Sequence, residues 1–352
     1  MNQCRDHKLK NKYFSILETL KENNSQPMGL NDRVLLVDGL NTFIRSWAVS
    51  PVTNSNGVHV GGISGSMLSI GYAIKNIKPT RVIVVFDGKD GSQRRRKLFP
   101  DYKAKRKPTE NINRSIKFDT TPENTRKNMG MQLGRLGQYL ETLPVTVYSI
   151  DKIEADDVIA YICKQALPES KHFIMSSDKD FIQLVDDRIS VWSPTKKKLY
   201  FKEDVLNDFE VPAHNYLTYR LLTGDKSDCI PGIPGSGLKT LQKRLPILFG
   251  DKPVGIEELM EATKDSDFKV TQMINENKEL LELNHKLMQL HDVDIAGTHK
   301  LNIIDKINNV NKFNKFKFQS MLLEDQLMGA IRNHEMWLRD TFIPLQAFKL
   351  LN

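Results

Sequence analysis

The sequence predicts an α/β fold built on a central, mostly parallel sheet flanked by helices. Two short apolar runs, RVLLVD (Arg33–Asp38) and RVIVVFD (Arg81–Asp87), carry Val and Ile on both faces, as strands covered on both sides do. Between them residues 64–78 have helical periodicity, so strand, helix and strand form a parallel pair. Acidic residues recur wherever such a strand ends.

The elements follow in order. Residues 1–31 read as a polar N-terminal extension, with a short helix around 13–20. The α/β unit spans 32–202: after the first pair come a third strand (145–150), a helix (156–166) and a fourth strand (173–176). Residues 189–192 and 198–201 add a fifth strand and a hairpin edge. A basic insertion, 90–128, follows the second strand and lacks clear periodicity; so long an insertion in a compact unit is usually functional or disordered. Residues 203–250 form a helical lobe with a Pro/Gly hairpin, IPGIPGSGLKT, at 230–240. The region 251–352 is Lys/Asn-rich, mostly helical and without an assigned role.

The 352-residue chain carries 51 Lys+Arg against 43 Asp+Glu, a net charge of +8 that suits a polyanionic partner. Cys4, Cys163 and Cys229 are too scattered for a disulfide framework or a thiolate zinc site. The N-terminus has no apolar stretch of the secretory kind, and no run is long enough to span a bilayer. The expectation is a monomeric protein of a bacterial or phage-infected cytoplasm, with no membrane partner.

Asp38 and Asp87 end the first two strands, Glu154, Asp156 and Asp157 follow the third, and Asp178 and Asp180 follow the fourth. Parallel strands bring all of these to one carboxyl edge, where open α/β sheets bind ligands. Asp225 and Asp228, in GDKSD, precede the hairpin and close the site from the helical side. Each acid also has an ordinary reading. Asp151 and Glu154 match a capping box, Asp178 fits a helix cap, and Asp225 or Asp228 fits an Asx turn. Recurrence at one edge favours a joint role. Like charges about 4 Å apart repel by roughly 4 kcal/mol at an effective dielectric near 20, so such a cluster calls for cations. All the donors are oxygens, which select Mg²⁺ or Mn²⁺; two such ions suit phosphodiester hydrolysis.

Six motifs then occur in order: VDGLNTFIR (37–45), FDG (86–88), YKAKR (102–106), IEADD (153–157), SSDKDF (176–181) and GDKSDCIPGIPGSGLKT (224–240). Over roughly residues 33–245 they resemble the flap endonuclease / 5′-nuclease superfamily, especially phage 5′→3′ exonucleases and the 5′-nuclease domain of bacterial DNA polymerase I. The resemblance implies a PIN-like core with a helical arch and a helix-hairpin-helix-type lobe. It groups Asp38, Asp87, Glu154, Asp156 and Asp157 around one Mg²⁺, and Asp178, Asp180, Asp225 and Asp228 around a second. Lys103 matches the lysine that positions the scissile phosphate, Arg96 falls near an arch arginine, and Arg45 matches an arginine after the first strand. The hairpin resembles the duplex-backbone grip, which in the family often holds K⁺. The usual Ser-Asp-Asn is here Ser227, Asp228 and Cys229. With no polymerase domain following, a free-standing nuclease is expected.

Within 94–107 eight cations (Arg94, Arg95, Arg96, Lys97, Lys103, Lys105, Arg106, Lys107) stand against one acid, Asp101, with Phe99 and Tyr102 interleaved. Cations for phosphates and aromatics for bases suit a single strand; a solvated basic loop is the alternative. Gly232, Gly235, Gly237, Lys239 and Thr240 are expected at the duplex backbone, and Gly61–Gly62 suggest a weaker anion site. The basic–aromatic alternation at 312–318 reads as a half-buried strand or a nucleic-acid contact, and TFIPLQAFKLLN as a docked terminus or a sliding-clamp or partner peptide. Together these predict a two-metal 5′→3′ exonuclease or flap endonuclease acting on DNA with a 5′ flap, nick or RNA primer during replication. Single-strand-binding protein or a sliding clamp are candidate partners. The alternatives are a ribonuclease of related metal-carboxylate type and a non-catalytic DNA-structure-binding protein.

Overall fold

The computed structural model describes residues 28–106 and 122–348. The expected helix at 13–20, Cys4 and Lys107 lie outside them. Six strands form one sheet: β1 (Arg33–Asp38), β2 (Arg81–Asp87), β3 (Thr146–Ile150), β4 (Lys171–Met175), β5 (Ile189–Ser193) and β6 (Lys198–Tyr200). Their order is β3-β2-β1-β4-β5-β6, all parallel except the β6 edge. The expected strands are therefore present, the last as an antiparallel hairpin edge.

The helices begin with α1 (Gly39–Val49), α2 (Gly61–Ile77), α3 (Gln93–Leu98), α4 (Pro122–Glu141) and α5 (Ala155–Tyr161), which continues as a π-helical turn to Ala166. They go on with α6 (Lys202–Phe209), α7 (Tyr216–Thr223), α8 (Leu238–Arg244), α9 (Ile256–Thr263), α10 (Lys269–Glu276) and α11 (Lys278–Met288). The last are α12 (Gly297–Asn308), α13 (Lys315–Glu324) and α14 (His334–Thr341). The basic insertion is thus helical at both described ends, in α3 and α4.

Alternation along the strands separates two cores. Leu35, Val37, Val82 and Val84 face α1, α2 and α4, with Phe318, Trp337, Leu338 and Phe342 from the C-terminal helices closing that side. Val34, Leu36, Ile83 and Val85 face Val158, Ile159 and Ile162 on the other. A third core joins Leu221, Ile230, Ile233 and Leu241 to Leu259, Ile274 and Leu281. The division expected at residue 250 runs through this core, to which α9–α11 contribute Leu259, Val270, Ile274, Leu281, Leu287 and Met288.

Two expectations need correction. Residues 315–318 are helical, with Asn314 capping α13 by accepting from the Lys317 N–H at 2.9 Å. Only Phe318 of that run is fully buried, while Phe316 is 81% exposed; Phe318, Met321 and Leu322 recur at helical spacing. The N-terminus of α2 is no open anion site either, since Gln132 Oε1 already accepts from the N–H groups of Gly62 (2.9 Å) and Ile63 (3.3 Å). The terminal segment docks through Phe342 and Leu345 as far as it is described.

Candidate active site

The strand order reverses at β1, which lies between β2 and β4. Ligands of open α/β sheets sit outside the carboxyl ends at such a switch point. Asp38 ends β1 there and caps α1, accepting from the Asn41 N–H at 3.1 Å and from Ser176 Oγ, beyond β4, at 2.9 Å. Asn41 in turn accepts from the Ser177 N–H and Oγ, so the ends of β1 and β4 are tied together. Asp87 accepts from the Ala155 N–H at 2.9 Å, fixing the start of α5 to the end of β2. Asp178 accepts from the Asp180 N–H, and Asp225 from the N–H groups of Ser227 and Asp228. The cap and Asx-turn readings of these two are therefore realised. The Asp151/Glu154 capping box is not: Asp151 accepts from the Lys89 N–H, and Glu154 begins α5 without a side-chain cap bond.

The acids sense one another. Burial, with added repulsion from Asp87 and Asp178, pushes the Asp38 carboxyl up to about 7 against the bonds from Asn41 and Ser176. Burial and the charges of Asp38 and Asp178 push Asp156 well above the carboxylate range. Burial and Asp178 raise Asp180 to about 7. Asp178, which the resemblance groups with the second cluster, thus acts on acids of both.

Cations of the chain stand among the remaining acids. Arg95 is only 4% exposed and grips Asp157 through two bonds of 2.8 Å, and Glu154 as well. Lys103 also pairs with Glu154, and the Tyr102 hydroxyl lies 3.3 Å from it. Burial would raise Glu154, but Arg95 and Lys103 hold it below the usual range. Arg106 pairs with Asp228 at 2.8 Å, and Arg220 bridges Asp180 (3.1 Å) and Asp225. Among the described residues no three carboxylates close on a common metal-ligand point. The donor chemistry nonetheless fits a hard divalent cation: oxygens only, with Asp38 buried and its charge, with that of Asp178, acting on the half-buried Asp156, a repulsion that a cation relieves.

Two arch residues are corrected. Arg95 and Tyr102 were expected to face a strand, but both are buried, because the carboxylates of α5 outcompete solvent for them. Arg94 stays part-exposed 3.6 Å from Asp157. Arg96, Lys97, Lys105 and Arg106 are exposed beside the site. Arg45 reaches Thr195 in the β5–β6 turn. In the hairpin Gly235, Gly237, Lys239 and Thr240 are exposed. Gly232 has a different reason to be glycine: an added Cβ would lie 2.4 Å from the Thr223 carbonyl, so it serves backbone crossing.

A family model described as 5′-3′ exonuclease, N-terminal resolvase-like domain, matches residues 33–210. A 5′-3′ exonuclease of Aquifex aeolicus (strain VF5) is 30% identical over 263 residues, covering 74% of this chain and 82% of that protein. The chain belongs to the 5′-3′ exonuclease family. Among its relatives, flap endonuclease Xni of Shewanella woodyi is 30% identical over 259 residues, 73% of this chain and 92% of that one. The bacteriophage T5 D15 flap endonuclease, solved with DNA and metal ions, superimposes with a TM-score of 0.58 at 21% identity over 83% of this chain and 98% of that chain. The shared fold includes the mostly parallel sheet flanked by helices.

Arg220 and Asn284 of this family member were not singled out by sequence. Arg220 lies five residues before Asp225, and an Arg so close to an acid pair was the available signal. Asn284 falls in a motif-free stretch and carried none.

Proposed function

We propose that this 5′-3′ exonuclease family member hydrolyses phosphodiesters near the 5′ ends of DNA, as exonuclease or flap endonuclease, in primer removal and flap processing. The observation that carries it is the meeting of Asp38, Asp156 and Asp178 at the switch point, between a basic arch and a Pro/Gly hairpin. Asp38, Asp87, Glu154, Asp156 and Asp157 would hold one ion; Asp178, Asp180, Asp225 and Asp228 would hold a second. Mg²⁺ is the proposed metal, with Mn²⁺ able to replace it, and K⁺ is proposed at the hairpin. Bound there, the divalent ions supply Lewis acidity and charge neutralisation at the phosphate.

The chain does the rest. Arg96, Lys97, Lys105 and Arg106 draw the polyanion to the mouth. Lys103, its ammonium part-buried beside Glu154, sits where charge develops on the scissile phosphate, and its N–H donates to the Asp228 carbonyl at 3.0 Å. That bond joins the arch to the second acid group. The hairpin orients the duplex so that the 5′ strand enters the site. No described helix is long and apolar enough to cross a membrane. Single-strand-binding protein and a sliding clamp remain proposed partners.

The test is a 5′-labelled flap duplex incubated with Mg²⁺, with EDTA and the Asp156→Asn variant alongside. Cutting near the junction is expected with Mg²⁺ alone, and flap binding is expected to survive in the variant. Binding without any cutting by the unaltered protein would leave a non-catalytic DNA-structure binder instead.

A further inference from the structure

The helix α11, in the region without a sequence motif, is bonded to the arch, to the turn after β4 and to both sides of the Asp225/Asp228 turn. Its last carbonyls have no partner within the helix and must find donors elsewhere. Leu287 C=O accepts from Arg95 Nε at 2.8 Å, the arginine whose other nitrogens hold Asp157 and Glu154. Met288 C=O accepts from Gln183 Nε2 at 3.0 Å. The same amide nitrogen bonds the Asp180 carbonyl at 2.8 Å, and Gln183 Oε1 accepts from the Leu290 N–H at 2.9 Å. One turn earlier stands Asn284, fully buried. Its Nδ2 donates to the Leu221 carbonyl at 3.0 Å and to the Pro231 carbonyl at 2.8 Å. Its Oδ1 has no partner among the described residues, so the side chain is held in place by its donor end.

The two carbonyls bracket one segment. Leu221 lies in the last turn of α7, and Pro231 is the second residue of the hairpin. Between them lie Asp225 and Asp228, in a turn closed by reciprocal bonds between Asp225 and Ile230 (2.9 and 2.8 Å). The hairpin is pinned again where the Ile233 N–H and Ser236 Oγ both donate to the Leu222 carbonyl at 2.7 Å. One buried amide therefore spans the acid pair and the proposed duplex grip.

We propose that Asn284 is a positioning residue that sets the spacing between the hairpin and the acids, and so determines which phosphodiester is cut. The inference rests on the nuclease reading above. A duplex held by the hairpin presents its 5′ strand at a fixed distance; a misplacement of about 1 Å at such a site is costly. Without the Asn284 donors, the Leu221 and Pro231 carbonyls lose buried partners and the hairpin shifts relative to Asp225 and Asp228.

Asn284→Ala removes the donors, and Asn284→Asp sets a carboxylate against both carbonyls. On a flap duplex with Mg²⁺, the unaltered protein is expected to give one dominant product length. Both variants are expected to spread products over neighbouring phosphodiesters and to raise KM about tenfold. A purely structural role would lower the active fraction while leaving product lengths and KM where they were. That outcome, in a variant still folded at the assay temperature, overturns the inference. Hydrogen exchange on the unaltered protein covers the case in which neither variant folds. Duplex DNA should protect residues 224–237 and α11 together; protection of the hairpin with no change in α11 also overturns it. An unaltered protein that cuts no flap fails the nuclease reading itself, which keeps the two failures apart.

Discussion

Arg95 shows how a single side chain holds the site. Glu154 and Asp157, each 4% exposed, have its guanidinium as their shared counter-charge, and Lys103 and Arg94 only supplement it. Removing one member of a buried pair strands the other's charge, typically at a cost of about 3–5 kcal/mol. Arg95→Met should therefore lower metal-free stability by about that amount in urea unfolding followed with EDTA present. Excess Mg²⁺ should restore part of it, because a bound cation would neutralise the same carboxylates. A loss unaffected by Mg²⁺ would mean that Arg95 matters only for packing against α11. The acids were legible in the sequence because strand ends and carboxyl edge are the same place in a parallel sheet. Their partners were less so. RRRK offers four equivalent cations, and only the packing of α3 turns Arg95 inward and Arg96 outward. The Arg220 bridge joins α7 to a turn on a different strand's exit, a contact that no local pattern encodes.

At the scale of elements, the hairpin depends on backbone approach more than on its exposed side chains. Gly224, at φ +68°, and Gly232 pass so closely that a Cβ on Gly232 would lie 2.4 Å from Thr223 and 2.7 Å from the Gly224 nitrogen. Both obstacles are backbone, so relief requires the strands of the crossing to part. Gly232→Ala should cost about 1–3 kcal/mol and weaken duplex binding, read as a lower urea midpoint and a raised Kd by anisotropy. Gly250→Ala, whose Cβ would meet only the Ile247 carbonyl at 3.5 Å, should stay within about 0.5 kcal/mol. Equal effects of the two would refute the close-approach argument. Strands and most helices were readable because each has one dominant period. The failure at 312–318 came from reading alternation over too few residues, when the helical spacing of Phe318, Met321 and Leu322 continues beyond it. The apolar cluster that joins residues on both sides of 250 leaves no mark in local composition.

At the scale of the whole molecule, the sheet places its acids at one end and a buried base near the other. His172, near the start of β4, is fully buried and donates from Nε2 to the Leu167 carbonyl at 2.8 Å, while its Nδ1 has no partner among the described residues. Burial is the main cause that lowers its pKa from 6.5 to about 4. Folding therefore keeps His172 neutral at pH values where the unfolded chain already binds a proton there. The sign follows from linkage: the neutral-histidine contribution is complete above 6.5 and is lost as pH falls through about 4. The gap between 6.5 and about 4 corresponds to about 3 kcal/mol of global stability. The acids proposed to hold metal complicate a direct pH titration. Asp38 and Asp180 are raised to about 7, so folding favours their protonated forms and their contribution runs the opposite way, gaining as pH falls from 7 toward 4. The comparison must therefore be between unaltered protein and His172→Gln, both in EDTA, where the acid contribution is common and cancels. The unaltered protein should lose about 3 kcal/mol more than the variant between pH 7 and pH 4 in urea unfolding. Parallel curves would show that His172 is protonated in the folded state, and that the core beneath β4 admits solvent.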